Sequence, residues 1–493
     1  MKLITLVNEL LDYGLQKNIL DEIDFDYSAN LLIDLFQEKN FRRIATTPRS
    51  IDEILEDLAC CAYEKGIIES DDYITYDNFK AKTADMIIDR PSGVIKKFYQ
   101  LYQINPHQAT DYLYKLSKGS NYIQTKRIKQ NIIWHHQTEY GTIELTINLS
   151  KPEKDPKLIA LQKLNPVSQY PQCRLCKENQ GYRGHLNYDS RSNMRIIPLK
   201  LAGETWYFQY SPYSYFDEHS IVLNEHHIPM IVNRDTFRKL LDFLDLFPEY
   251  FVGSNAGLPI VGGSILNHEH YQAGRYHFPI EKAKEIYIGK VGAVDVSRLI
   301  WPLSTIRIKS ADKEGIIDFA AKALDYWMRY ENPALSLINN ATNPHHTLTP
   351  IARKEKSIYV FDLILRSNYT NALYPDGVFH PHPELYHIKK ENIGLIEAMG
   401  MGILPGRLKK EFELIAKYLS GEEAILADKS LEKHHHWIEK IKPKFSLEQD
   451  VDLFILNQAG KVFSQVLMDA GVFKMDHAGE SAFIKFANAL YYK

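Results

Sequence analysis

Several things are scarce in this chain, and each scarcity removes a class of protein. Four cysteines in 493 residues cannot staple a disulfide scaffold, so a reducing compartment is expected. There is no surplus of either charge: 59 basic against 62 acidic residues leave a net −3. That balance excludes a nucleic-acid binder held by global positive charge and a membrane-surface protein held by basic residues. Long apolar runs are also missing. Glu9 and Asp12 follow closely on the apolar start of the chain, which therefore lacks a signal-peptide core. The uncharged stretch from Phe251 to His268 is broken by Gly253, Gly257, Pro259, Gly262 and Gly263, too many breakers for a membrane helix. These absences predict a cytoplasmic, globular protein that binds neither membrane nor nucleic acid. With 45% hydrophobic and 25% charged residues, the chain has enough apolar material for a core of ordinary size.

The patterning changes along the chain. Leu6, Leu10, Leu11 and Leu15, then Ile51, Ile54, Leu55, Leu58 and Ala59, recur at helical spacing and predict a helical extension over 1–120. Cys60 and Cys61 fall inside that pattern and read as packing. Two loops are expected, at Asp89–Gly93 and Ser117–Asn121. Strands are predicted at Thr142–Leu149, Trp206–Tyr210, Ser220–Leu223, Gly262–Gln272 and Ser357–Leu365. A helix is predicted over Asp235–Phe247 with Asp235 as its cap, and another over Glu314–Tyr330. Residues 405–493 are again helical. The expected class is α+β, with domains over 1–120, 121–290 and 291–493.

Chemistry concentrates in two places. In Asn267-His268-Glu269-His270-Tyr271-Gln272, an extended backbone would put His268, His270 and Gln272 on one face and Glu269 and Tyr271 on the other. A neutral imidazole is a competent nucleophile toward phosphorus, and a carboxamide donates to a phosphoryl oxygen without adding charge. Cys173-Arg174-Leu175-Cys176 is half of a metal site, because the intervening turn brings both thiolates to one side. The other half could come from Glu225-His226-His227 and from His268. The histidines at 345–346 and at 380–382 are read either as cleft-lining or as surface. His434, His435 and His436 cannot share one helical face and read as solvated surface.

These residues resemble the second, longer type of galactose-1-phosphate uridylyltransferase (UDP-glucose–hexose-1-phosphate uridylyltransferase), a branch of the histidine triad superfamily. The resemblance extends through 122–127, 148–157, 173–182, 254–264 and 394–407. It implies histidine-triad-like mixed or antiparallel sheets and transfer of a uridylyl group from UDP-glucose to galactose 1-phosphate, giving UDP-galactose and glucose 1-phosphate. It further implies His270 as nucleophile with Gln272 beside the transferred phosphoryl group, and Asn255, Ser264 and Arg127 as substrate contacts. Cys173, Cys176, His227 and His268 would hold a structural zinc, with His226 competing with His227. No organic cofactor is expected, and a homodimer is. Glu269 and Tyr271 depart from the first type, which has proline and glycine there. Two other readings stand beside this one: a dinucleotide phosphorylase or hydrolase using the same histidine, and a zinc-stabilised nucleotide-binding protein without catalysis.

Overall fold

Helix Ile51–Glu64 begins where Ser50 and Glu53 close a reciprocal cap, and its Ile54, Leu55 and Leu58 are buried. In the computed structural model, which describes residues 2–47, 49–150, 170–263, 265–340 and 344–492, the chain divides into two compact units. One comprises Met1–Lys129 with Lys154–His227, the other Gln130–Glu153 with Ile228–Lys493.

In the first unit the predicted leucine stripes do pack as helices. Lys2–Gln16, Phe25–Leu35, Ile51–Glu64 and Tyr73–Asp85 share one apolar core through Leu6, Leu10, Leu11, Leu32, Leu58 and Phe79. Cys61 is buried in it, as packing requires. The two expected loops are shorter than predicted. Pro91 opens the helix Pro91–Ile104, because a first-turn N–H is not needed for the helical ladder and proline's φ suits that position. The following helix, Pro106–Gly119, runs into the second predicted loop before it ends. Strands Ile197–Leu201, Glu204–Tyr210 and Ser220–Asn224 form an antiparallel meander with Trp206, Phe208 and Tyr210 inside. The Tyr210 hydroxyl donates to the Thr110 carbonyl (3.0 Å), pinning the meander to the second of these helices.

In the second unit, Ile132–Thr138 and Gly141–Ile147 form a hairpin, and Met401–Leu404 joins it in parallel. A larger antiparallel sheet runs His270–Gly274, Phe251–Gly253, His346–Glu355, Ile358–Ser367, Thr305–Ser310, Val294–Leu299, Glu285–Val291 in spatial order. Helices Arg234–Leu246 and Lys313–Met328 pack on it. The first begins one residue before the predicted cap. Asn233, not Asp235, accepts from the Thr236 amide (3.0 Å), and Thr236 returns the bond through its hydroxyl. Helices Leu408–Leu419, His435–Ile441, Val451–Ala470 and His477–Tyr492 complete the unit. Helices and largely antiparallel sheets make this an α+β protein. Among the described residues no helix is long and apolar enough to cross a membrane.

One predicted strand is much shorter than expected. Extended structure begins at His270, not Gly262. The segment before it folds back on itself: a Cβ on Gly262 would lie 2.2 Å from the Ala256 carbonyl oxygen, and one on Gly263 would meet the Asn255 amide at 2.9 Å. Those glycines permit a close loop, which is incompatible with a straight strand through them.

Candidate functional site

Strand His270–Gly274 places His270 and Gln272 on one face, with Tyr271 and Ala273 buried on the other. His268, fully buried, lies just before the strand rather than in it. The alternation therefore holds for His270 and Gln272, and His268 is placed by the loop. His270 is 6% exposed. Its Nδ1 lies 2.8 Å from the His268 carbonyl oxygen. A carbonyl only accepts, so Nδ1 must carry the hydrogen and Nε2 keeps its lone pair. Nε2 makes no hydrogen bond to any described residue. Burial outweighs the favourable carbonyl contact and lowers the ring to about 4, which keeps the imidazole neutral. The result is a neutral imidazole whose tautomer is set by the backbone and whose Nε2 keeps its lone pair.

The residues between and after the histidines have a separate task. Glu269 and Tyr271, predicted to face away from His270, meet on the other side of the strand: the Tyr271 hydroxyl donates to Glu269 Oε1 (2.9 Å). Lys239, from helix Arg234–Leu246, reaches the same carboxylate at 3.3 and 3.4 Å. Lys239, 30 residues away in sequence, gave no signal in the sequence; only the packing of the helix brings it there.

In the first unit, Cys173 and Cys176 form a tight knuckle. The Cys176 amide donates to the Cys173 carbonyl (3.2 Å) and the Leu175 amide to Cys173 Sγ (3.3 Å). The two sulfurs are 3.5 Å apart, and His227 Nδ1 is 3.2 Å from Cys176 Sγ. Around a tetrahedral zinc with Zn–S ~2.3 Å, two thiolates sit about 3.8 Å apart, so these donors are spaced to share one cation. Burial and the neighbouring Cys173 thiol push the Cys176 thiol up to about 12, so a cation is what would hold it as thiolate. His226 is exposed and donates its amide to Asn224 Oδ1, and Glu225 pairs with Lys177 (2.7 Å). Of that trio His227 alone approaches the cysteines. Asn179 went unnoticed in the sequence. Buried, it donates to both the Cys173 and Cys176 carbonyls (2.8 and 2.7 Å) and fixes the knuckle.

The remaining predicted residues are placed as follows. Asn255, in the second unit, is buried and accepts from the Leu395 amide (2.9 Å). Arg127, in the first, forks onto Asp77 at 2.6 and 2.8 Å. Ser264 lies outside the described residues, as does the stretch 151–169. Of the other histidines, His346 is buried flat against Trp327, ring centroids 4.4 Å apart, and His380 is buried between the Pro381 carbonyl and Asn392. Both are packing elements. The surface reading of 434–436 fails for His434, which is fully buried and bonded to Glu411 (2.9 Å); His436 is exposed. The short helical turn before residue 435 rotates the first ring inward, where a carboxylate 23 residues upstream receives it.

Known proteins match this chain from end to end. The family model for the galactose-1-phosphate uridyl transferase N-terminal domain matches residues 20–229, and that for the C-terminal domain matches 243–439. The galactose-1-phosphate uridylyltransferase of Clostridium acetobutylicum is 46% identical, covering 98% of this chain and 99% of that protein. That of Caldanaerobacter subterraneus is 46% identical, covering 99% and 98%. Galactose-1-phosphate uridylyltransferase 1 of Streptococcus pneumoniae is 44% identical, with 99% of both covered. A solved structure, yeast Ap4A phosphorylase, overlaps 71% of this chain and 97% of its own at 12% identity and a TM-score of 0.34, too slight a likeness to bear on the fold. Matches to both family halves and to full-length relatives agree: this chain belongs to the galactose-1-phosphate uridylyltransferase family.

Proposed function

We propose that this chain transfers the uridylyl group of UDP-glucose to galactose 1-phosphate through a covalent uridylyl-histidine at His270. Family membership supports the substrates, and one contact carries the chemistry: the His270 Nδ1–H donated to the His268 carbonyl (2.8 Å). In the first half-reaction the Nε2 lone pair attacks the α-phosphorus in line. The bond from that phosphorus to the sugar phosphate breaks, and glucose 1-phosphate leaves with the electron pair. In the second, a phosphate oxygen of galactose 1-phosphate attacks the same phosphorus, the P–N bond breaks, and its pair returns to Nε2. UDP-galactose is released. No strong general acid is needed, because the leaving group is already a stable anion. Gln272, on the same face as His270, donates its amide to a nonbridging oxygen where charge builds. Asn255, Ser264 and Arg127 are assigned to phosphate contacts in this reading.

Cys173, Cys176 and His227 are assigned, with His268 as fourth ligand, to a zinc that fills its coordination with protein atoms. Such an ion braces structure and leaves no position for substrate. The reading includes a homodimer and a cytoplasmic location.

The deciding experiment is exchange of labelled glucose 1-phosphate into UDP-glucose with no galactose 1-phosphate present. Exchange by the wild type and none by His270→Asn is expected. Binding of UDP-glucose without exchange would overturn the covalent route, and transfer to inorganic phosphate in preference to galactose 1-phosphate would make the chain a phosphorylase. Metal analysis should find one zinc per chain, reduced in Cys173→Ser; a metal-free wild-type protein of full stability would remove that assignment.

A further inference from the structure

The backbone around His270 is tied on both faces of the strand. On one face, the ring's own Nδ1 closes onto the His268 carbonyl (2.8 Å). On the other, Glu269 and Tyr271, the residues immediately before and after His270, bond to each other through their side chains (2.9 Å). A link between residues two apart fixes the torsions of the residue between them. That link is itself held from outside: Lys239 reaches both Glu269 oxygens (3.3 and 3.4 Å), and the Glu269 amide donates to the Ile228 carbonyl (2.7 Å). Lys239, Glu269 and Tyr271 are all buried.

We infer that Lys239, Glu269 and Tyr271 form a positioning clamp that aims the His270 imidazole at phosphorus, without touching substrate themselves. An ion pair kept away from water is an uneconomical way to gain stability, since apolar residues of similar volume often do as well. What the clamp supplies is geometry. Its lysine and carboxylate fix where the phenol must sit, and the phenol and carboxylate together fix the strand between them. The pair thus performs, by side-chain bonding, the restriction that a proline in the place of Glu269 would impose through its ring.

The inference rests on His270 being the nucleophile, and its test keeps the two apart. Formation of the labelled uridylyl-protein from UDP-glucose is timed for wild type, His270→Asn, Tyr271→Phe, and the double variant Lys239→Met with Glu269→Leu. Tyr271→Phe removes one hydroxyl from the clamp and leaves the ion pair intact. The expected result is a slower labelling step, by on the order of 10- to 100-fold as small misplacements cost, with the KM for UDP-glucose and the melting temperature unchanged. The double variant should fold and label more slowly still. If it does not fold, Tyr271→Phe decides alone. Labelling of Tyr271→Phe at the wild-type rate overturns the clamp, and so does a parallel loss of melting temperature and rise in KM, which would mark plain packing. Labelling of His270→Asn would overturn the nucleophile instead, independently of either result.

Discussion

Two histidine runs in the second unit, at 268–270 and at 434–436, look alike in composition and behave differently. Each buries an imidazole, and in each burial is the largest influence holding the ring below its ordinary titration range. The partner makes the difference. His270 donates to a backbone carbonyl, which is uncharged and leaves a lone pair on the far nitrogen. His434 donates from Nε2 to Glu411, a carboxylate that also holds Lys433 and Arg407 (2.6 Å each). Its Nδ1 is sealed in without a partner among the described residues, beside the His387 and Trp437 rings. One imidazole keeps a lone pair on its far nitrogen, and the other is tied into a cluster of charges.

The sharpest way to break this comparison is to remove each ring's function in turn. His270→Ala should lower uridylyl transfer by on the order of 10⁶-fold, as removal of a covalent nucleophile does, while the melting temperature stays near wild type. A transfer rate within tenfold of wild type would put the two histidines in one class. Glu411→Ala should do the reverse. It strips Arg407, Lys433 and His434 of the buried carboxylate they share and should cost roughly 3 kcal/mol in denaturant unfolding, with kcat of the surviving folded protein little changed.

The third prediction is acid sensitivity. Burial favours the neutral rings of His387, held down to about 4, and His434, also lowered. Burial alone would raise Glu411, but its bonds from His434 and Lys433 and the charge of Arg407 bring it down to about 2. All three groups bind protons more weakly folded than unfolded, so each contribution is full at high pH and is lost on acidification. Stability should begin to fall below about pH 6.5 as the unfolded histidines protonate, and fall further between about 4.5 and 2 as Glu411 is protonated. Urea midpoints against pH would check this, and Glu411→Gln should flatten the lower part of the curve. A flat wild-type profile from pH 7 to 4 would contradict it. The smallest effect belongs to exposed His436, where His436→Gln should change stability by less than about 0.5 kcal/mol.

Legibility followed sequence distance. The N-terminal helices were readable because Leu6, Leu10 and Leu11 mark a face that any helix presents once formed. The cysteine knuckle was readable for the same reason, its turn being closed by bonds within 173–176. The cap of the helix at 234–246 was misplaced by two residues, since Asn233 and Asp235 are both good cap residues and only the entering backbone chooses between them. The strand before His270 was overestimated because glycine suits an extended chain and a tight loop equally, and the loop is selected by the Ala256 carbonyl and the Asn255 side chain.

By itself the sequence determined the α+β class, the helical ends of the chain, the pairing of His270 with Gln272 on one face, and the turn that brings Cys173 to Cys176. These depend on residue types and on periods of a few residues, which local backbone geometry enforces wherever the segment lies. Only the tertiary structure decided that His227 rather than His226 meets the cysteines, that Lys239 stands under Glu269, and that His434 is buried against Glu411. Those choices join residues 23 to 51 positions apart. Helices and strands must first pack before such side chains share a space, and desolvation there makes an unpaired polar group costly enough to select its partner.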